Sequence, residues 1–442
     1  MRLVAAAFFG AILCLSARAR AGNGETYYLG SAASMFAGAA TATTDGAGAL
    51  WYNPARLTEG GVDSVDLAVS AYLVRFGGTP DLESESSSIT VNRYDGVAVQ
   101  AVPTAASYKI RVAGWDLGYG LFVPNVTFSY PRSLARTGPG VTPQAIIAVD
   151  GSYELTEYYA GLGVGRRLAP GLSLGLALFG YYGDESAQSA VGLTKSDGSF
   201  WIDYESSHRQ SFGWQLVSGL SYRAGRRLGF GFVLRTPVIA LGSSTEDSLF
   251  TALGDQSSAN GSVAFRDSSA FAPTPRGKTL AAARAALGVA IELSDRTTLS
   301  TDLKLRGSVS AGRTQIQKAV ADLRVGIRAR AASEFWLGGG LFTDRSATPI
   351  DGDATGTTLD FYGCSVGAEF GTPYRTIAED GKRGGLRLSM GISLSYALGV
   401  GKLSNLGIAG DQGATLAESR QDHALAHEFV LTLNSSVSQL LQ

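Results

Sequence analysis

Seven of the charged side chains between residues 292 and 328 lie on the predicted inner face of three strands, where the basic ones could bind an anion. They are Glu292, Asp302, Lys304, Arg306, Asp322, Arg324 and Arg328. Guanidinium and ammonium groups in a partly desolvated pocket form charge-assisted hydrogen bonds with carboxylates. Lys304, Arg306, Arg324 or Arg328 could therefore hold the carboxylate of a ligand. The alternative is a network of ion pairs that only holds these segments together.

Two other patterns match chemical motifs but lack the required context. Residues Gly363 to Gly367 match the nucleophile-elbow spacing, which requires a strand-to-helix turn and a paired histidine. Here they lie inside a predicted strand, in which apolar residues occupy alternate positions. His423 and His427 are four residues apart, a metal-binding spacing on a helix but not along a strand. The sequence thus predicts no catalytic residue, no metal site and no cofactor, and the chain is not expected to be an enzyme.

Alternating apolar residues define the elements that must position the charged side chains. In the clearest segment, Leu386 to Val400, every second residue is apolar and the intervening ones are mostly small or polar. Fourteen segments show such a pattern, which is typical of strands with one face in lipid. The predicted fold is an all-β transmembrane antiparallel barrel of about 14 strands.

The connectors between the segments alternate between short and long. Short ones include Ala113-Gly114 and Ser294 to Arg296, and long polar ones include 185–199 and 242–279. Bacterial outer-membrane barrels have short periplasmic turns and long outer loops. The alternation therefore predicts both the topology and the orientation, with residues 62–442 forming the barrel.

The N-terminus and the composition restrict the location of the chain. Residues 1–21 have a basic start, an apolar run and the small residues Ala19 and Ala21, which predict a cleaved signal peptide. The remaining chain has no apolar run near the length of a membrane helix. With 37 basic and 38 acidic side chains, the chain has no electrostatic basis for binding nucleic acid. We expect it in the outer membrane of a Gram-negative bacterium.

Residues 22–61 lack the strand pattern and are predicted to form a small helical hatch that plugs the lumen. Asp45 could cap a short helix that reaches Trp51. Asn53-Pro54 predicts a turn, because proline restricts the residue before it.

The hatch resembles the start of the FadL family of outer-membrane transporters of long-chain fatty acids and hydrophobic compounds. The resemblance continues through several later segments. The matching residues are Ser34 to Ala40, Asp45, Ala49 to Ala55, Tyr119 to Pro124, Gly213 to Leu220, Gly229 to Phe232 and Leu293 to Asp302. It implies a 14-stranded barrel whose ligands enter from outside, pass a pocket near the hatch and leave sideways at a kinked strand. Arg56 and the non-aromatic end, Leu440 to Gln442, depart from the family pattern.

The predicted function is passive uptake of long-chain fatty acids or other hydrophobic small molecules by a monomeric barrel surrounded by outer-membrane lipid. Asn53, Pro54 and Ala55 are expected to shape the hatch. Pro103 interrupts the second strand and marks either a lateral opening or a simple bulge. The alternative function is an assembly or surface-interaction barrel with a structural plug and no small-molecule transport.

Overall fold

The computed structural model describes most of the chain after the predicted signal peptide, which lies outside the described residues. The described ranges are 28–59, 63–78, 82–83, 89–92, 96–129, 132–137, 145–196, 198–255, 262–274, 278–311, 314–347, 356–372, 375–379, 382–404 and 421–441.

Fourteen antiparallel strands form a closed wall, which confirms the predicted fold. They are β1 (Asp63–Gly78), β4 (Gly96–Val112), β5 (Trp115–Ser129), β7 (Ala145–Ala169), β8 (Leu172–Lys195), β9 (Phe200–Ala224), β10 (Leu228–Arg235), β14 (Arg284–Ser294), β15 (Thr297–Arg306), β18 (Val320–Ala332), β19 (Phe335–Asp344), β20 (Gly356–Gly371), β22 (Lys382–Ser404) and β23 (Gln421–Leu441). Each pairs with its neighbours in this order, and β23 pairs with β1 to close the barrel.

In the described residues, nine further strands extend the wall or form hairpins beyond it. They are β2 (Leu82–Glu83), β3 (Ile89–Asn92), β6 (Arg132–Thr137), β11 (Val238–Asp255), β12 (Ser262–Thr274), β13 (Thr279–Ala281), β16 (Val309–Ala311), β17 (Thr314–Gln317) and β21 (Arg375–Glu379).

The alternation read from the sequence separates an outer face from an inner face. On β8 the side chains of Leu174, Leu176 and Leu178 are exposed on the outside, whereas Ala177 and Phe179 are buried inside the barrel. A continuous outward band of this kind is stable only against hydrocarbon, because leaving it in water would cost about 25 cal/mol per Å² of apolar surface. The wall is therefore a transmembrane surface.

The wall is much taller on one side than on the other. β7, β8 and β9 have 25, 24 and 25 residues, whereas β15 and β19 have 10 each. About 9–11 residues of a tilted strand cross a bilayer, so the tall side continues well beyond it. The predicted long connectors at 185–199 and 242–279 were wrong in this respect, because strands β8, β11 and β12 fill most of them. Both faces of these extensions lie outside hydrocarbon, which removes the alternating pattern.

Three irregular positions in the wall are closed by threonine hydroxyls. Thr236, Thr343 and Thr372 accept hydrogen bonds from the backbone N–H groups of Leu216, Leu323 and Leu388, each at 3.0 Å. Each hydroxyl takes the place of a carbonyl in the ladder, so the backbone donor stays satisfied at the irregularity.

The described part of the hatch lies inside the lumen as three short helical pieces. They are α1 (Ser31–Met35), α2 (Ala49–Tyr52) and the 3₁₀ helix Pro54–Thr58. Nearly all of their side chains are buried. No helix among the described residues is long and apolar enough to cross a bilayer.

Candidate functional site

Asn53 connects three parts of the structure at the centre of the hatch. Its side-chain amide donates to the backbone carbonyls of Thr41 at 2.9 Å and Leu220 at 3.1 Å. Its carbonyl oxygen accepts from the Ala55 N–H at 3.1 Å, which caps the 3₁₀ helix, and Pro54 is its first residue. Asn53 therefore joins the hatch loop, the helix start and strand β9. These contacts are consistent with the hatch-shaping role predicted for Asn53, Pro54 and Ala55.

Two inward glycines of the wall allow the hatch backbone to approach closely. A Cβ atom at Gly175 would lie 2.2 Å from the carbonyl carbon of Pro54, and one at Gly219 would lie 2.2 Å from Oδ1 of Asn53. Any side chain at these positions would displace the hatch. The sequence signal was present, since both glycines occupy inward positions of alternating strands, but only the structure identifies their partner.

Arg56, which departs from the family pattern, is buried between the hatch and strand β9. Its Nε atom donates to the Thr44 carbonyl and its Nη1 atom lies 3.5 Å from the Ser221 hydroxyl. Burial lowers the pKa of the guanidinium, and nearby Glu59 and Asp45 act in the opposite direction. Arg56 thus contributes hydrogen bonds within the hatch at a position where the family commonly has glycine.

An aromatic cluster packs one side of the hatch against β5, β7 and β8. The ring of Trp51 lies 5.4 Å from Phe122, 5.1 Å from Tyr159 and 5.6 Å from Phe179, measured between centroids. All four rings are buried. The tilted and edge-to-face arrangements are those that aromatic pairs favour.

Hydrogen bonds to charged side chains hold the other side of the hatch. The Asp302 carboxylate of β15 accepts from the N–H groups of Ala40 and Thr41 at 2.9 Å and from the Thr41 hydroxyl at 2.7 Å. The Ser300 hydroxyl donates to the Ala39 carbonyl at 2.8 Å. These bonds fix residues 39–41 against the short side of the wall.

A small basic cavity of about 50 Å³ lies between the hatch and the ends of the short strands. Its charged lining comes from β10, β14, β15, β18 and β19 and consists of Arg235, Arg284, Lys304, Arg306, Asp322, Arg324 and Asp344. Five of these seven side chains are basic, so the lining has an excess of positive charge.

Three of the four predicted carboxylate-binding residues line this basic cavity, namely Lys304, Arg306 and Arg324. Arg328 lies elsewhere: its Nη2 atom is 3.0 Å from Glu369, which also accepts from the Ser31 hydroxyl. Arg328 therefore contributes to the anchoring of α1. Its predicted contact with a ligand stays a prediction.

Sequence reasoning missed two basic residues of the cavity, Arg235 and Arg284. Arg235 is the last residue of β10, where its guanidinium stacks 4.1 Å from the Trp51 ring centre, and Arg284 is the first residue of β14. Alternation does not define which way a side chain points at a strand end. Only the structure shows that the two residues are direct partners across β10 and β14.

The wall has a gap between β4 and β5, just above the aromatic cluster. The ladder between these strands ends at the Ala105–Phe122 pair. In the described backbone, no pairing joins residues 96–104 of β4 to residues 123–129 of β5. β4 still pairs with β1 and β5 with β7, and beyond the gap β3 pairs with β6. The gap, here called the β4–β5 window, is thus framed at both ends.

A proline lies on each edge of the β4–β5 window. On β5, Val123 and Pro124 form a bulge between Phe122 and Asn125 in the pairing with β7. On β4, Pro103 pairs with Val69 at a register shift toward β1. Proline has no N–H for a ladder and is therefore found at strand edges and bulges. The structure brings Pro103 to the window, and its role in an opening stays a prediction.

Comparisons with known proteins agree with this architecture. A scan against protein-family models and a search of curated proteins give no match. Among solved structures, a Pseudomonas aeruginosa FadL homologue aligns over 94% of this chain and 99% of its own, with a TM-score of 0.61 at 12% identity.

Two toluene transporters are also similar. TodX of P. putida covers 93% of this chain and 98% of its own, with a TM-score of 0.60 and 14% identity. TbuX of Ralstonia pickettii covers 93% and 98%, with a TM-score of 0.51 and 11% identity. At such identities the likeness shows the fold. It confirms the resemblance found in the sequence: the chain has the FadL-type fold, a fourteen-stranded barrel plugged by an N-terminal hatch.

Proposed function

We propose that the chain is a channel in the outer membrane of a Gram-negative bacterium for passive uptake of hydrophobic small molecules, such as long-chain fatty acids. The cargo enters the lumen on the side of the long strands, passes the hatch and leaves sideways through the β4–β5 window. The observation that carries the proposal is the position of this window directly above the buried aromatic cluster. A framed gap next to an apolar lumen surface is an exit to hydrocarbon.

The physical task requires no covalent chemistry. An apolar molecule gains about 25 cal/mol per Å² of apolar surface when it moves from water to hydrocarbon, so the bilayer itself drives release. The wall of one chain closes on itself, which supports function as a monomer with outer-membrane lipid as its surroundings. The barrel has only to exclude water and leave a path past Trp51 and Phe122.

The basic cavity supports an amphiphilic cargo with an acidic group. Lys304, Arg306 and Arg324 surround it at the hatch, and the excess of positive charge favours a carboxylate there. Arg328 is less favoured because Glu369 already binds its guanidinium. The toluene transporters among the similar structures are named for a neutral aromatic compound. A neutral cargo would use the window without the basic cavity.

An engineered disulfide across the β4–β5 window, here called the window clamp, tests the proposal. Thr104→Cys with Val123→Cys, in a Cys364→Ser background, places a thiol pair immediately beyond the last Ala105–Phe122 pair. Oxidation should lower uptake of radiolabelled oleate or toluene by whole cells at least about tenfold, equal to a barrier of about 1.4 kcal/mol. Reduction should restore it.

The matched control is a clamp inside the continuous ladder. Tyr108 and Tyr119 are direct partners below the window, with ring centroids 5.4 Å apart. The pair Tyr108→Cys with Tyr119→Cys should form a disulfide without an effect on uptake. Equal uptake by the oxidised and reduced forms of the 104/123 variant would refute exit through the window.

The alternative, an assembly or surface-interaction barrel, has one observation in its favour. The described hatch packs tightly against the wall and leaves a cavity of only about 50 Å³ beside it. Such a barrel should purify without lipid or detergent in its lumen and should tolerate the window clamp. Mass spectrometry of the denatured protein, combined with the clamp assay, distinguishes the two functions.

A further inference from the structure

We propose that Glu157 of β7 is a positioning residue that holds the β5 edge of the window away from β4. The inference rests on the proposed function, in which this window is the exit. It adds a residue that determines how wide the exit is and therefore which cargo passes.

Glu157 connects the bulged strand to the strand beyond its neighbour. Its Oε2 atom accepts from the Asn125 side-chain amide at 3.3 Å, and its Oε1 atom accepts from the Tyr181 hydroxyl at 3.3 Å. Asn125 is the first residue after the Val123–Pro124 bulge of β5, and Tyr181 belongs to β8. One carboxyl group thereby ties the window edge to two successive strands of the tall wall.

The three side chains that share these hydrogen bonds are buried. The exposed fractions of Asn125, Glu157 and Tyr181 are 6%, 8% and 9%. A buried polar group costs free energy unless it is hydrogen-bonded, and the Tyr181 ring also lies 5.2 Å from Tyr159 of the aromatic cluster. The buried Glu157 carboxyl group is therefore stabilised by its hydrogen bonds, and one of them is to Asn125, the first residue after the bulge.

The Tyr181 hydroxyl occupies space that is available because residue 183 is glycine. Gly183 is the direct pairing partner of Glu157 on β8. A Cβ atom there would lie 2.3 Å from the Tyr181 hydroxyl. The approach of Tyr181 to Glu157 thus depends on a missing side chain at a defined position of the ladder.

The window edges need such a restraint because of their backbone chemistry. Two strand edges that face each other with free N–H and C=O groups tend to pair. Val123, Pro124 and Pro103 weaken that pairing, but β5 continues after the bulge as regular strand backbone. The Glu157 bonds hold Asn125, the first residue after the bulge, toward β7, which keeps the edges apart and the exit open.

The first experiment measures how often the two edges meet. In the Thr104→Cys, Val123→Cys, Cys364→Ser background, Glu157→Ala should accelerate disulfide formation about tenfold, the scale of two lost buried hydrogen bonds. Glu157→Gln keeps a side-chain acceptor for Asn125 and should stay within about twofold of the parent. Asn125→Ala, which leaves the Glu157–Tyr181 contact, should behave like Glu157→Ala.

Glu185→Ala is the matched control. Glu185 belongs to β8 and, like Glu157, accepts a hydrogen bond from a tyrosine, Tyr153, at 3.2 Å, but it does not contact the bulge. It should leave the oxidation rate unchanged. A difference in gel mobility between heated and unheated samples establishes that each variant forms a folded barrel.

The second readout is cargo width. Without the 104/123 cysteines, Glu157→Ala should lower uptake of a pyrene-labelled fatty acid about tenfold more than uptake of toluene, and Glu157→Gln should restore the ratio. An unchanged oxidation rate in Glu157→Ala, failure of rescue by Glu157→Gln, or an equal effect of Glu185→Ala would overturn the role of Glu157. The proposed function fails separately, if the oxidised window clamp still permits full uptake.

Discussion

Around Trp51 the hatch contacts β5, β7 and β8 through aromatic rings, whereas its residues 39–41 are held on β15 by the Asp302 carboxylate and the Ser300 hydroxyl. The aromatic side lies below an interruption in the wall, and the hydrogen-bonded side lies against continuous ladders. Hydrogen bonds are directional and break with small displacements, but dispersion contacts tolerate sliding. We infer that the ring contacts around Trp51, beside the proposed cargo path, yield more easily than the directional hydrogen bonds that fix residues 39–41.

The strongest test of this asymmetry removes the fixed side. Asp302→Ala leaves the N–H groups of Ala40 and Thr41 and the Thr41 hydroxyl without their acceptor. We expect a loss of about 3–5 kcal/mol in the free energy of unfolding, measured by denaturant titration in phospholipid vesicles. Asp295→Ala, at an exposed turn, is the control and should change little. A loss as small as that of the control would mean that Asp302 does not fix the hatch.

A smaller effect is expected where a wall glycine supports the hatch. Gly175→Ala places a methyl group against the Pro54 backbone and should cost about 1–3 kcal/mol, as overpacking does. Gly192→Ala on the same strand meets open space and provides the comparison. The same titration measures both variants. Equal stabilities would show that the hatch backbone at Pro54 yields as easily as the ring contacts around Trp51.

The smallest expected effect concerns the selection of cargo at the basic cavity. Lys304→Gln with Arg306→Gln should lower oleate uptake about tenfold, or 1.4 kcal/mol, with less than about twofold change for toluene. Arg330→Gln, near a short turn and hydrogen-bonded to the Ser333 carbonyl, is the control. An equal loss for both cargos would indicate that the charges only support the hatch.

The sequence predicted the barrel because lipid imposes alternation on every membrane-crossing segment. The strand number, the closed order and the inward positions of Lys304, Arg306 and Arg324 follow from that pattern. Strand extensions beyond the bilayer were missed, since no solvent asymmetry marks them in the sequence.

The window lies at the limit of what sequence can predict. Pro103 indicated an irregularity on β4, but the matching interruption depends on the register of β5 against β7. A register shift of one residue exchanges the two faces of a strand, and the sequence of one strand does not define its partner. For the same reason the link from Glu157 to Asn125 and Tyr181 required the structure.

The threonine hydroxyls that replace ladder carbonyls at Thr236, Thr343 and Thr372 bear on how such a channel diversifies. Each hydroxyl satisfies one ladder donor, and at two of the positions the backbone N–H groups of Thr236 and Thr372 also donate to the carbonyls of Leu216 and Leu388. A substitution by valine would remove the hydroxyl acceptor while keeping the size of the side chain. Single substitutions of this kind would weaken the ladder at a chosen position and leave the strand order untouched. If release is lateral, as proposed, the position of the exit is a property that evolution or an engineer can relocate around the circumference without redesigning the fold.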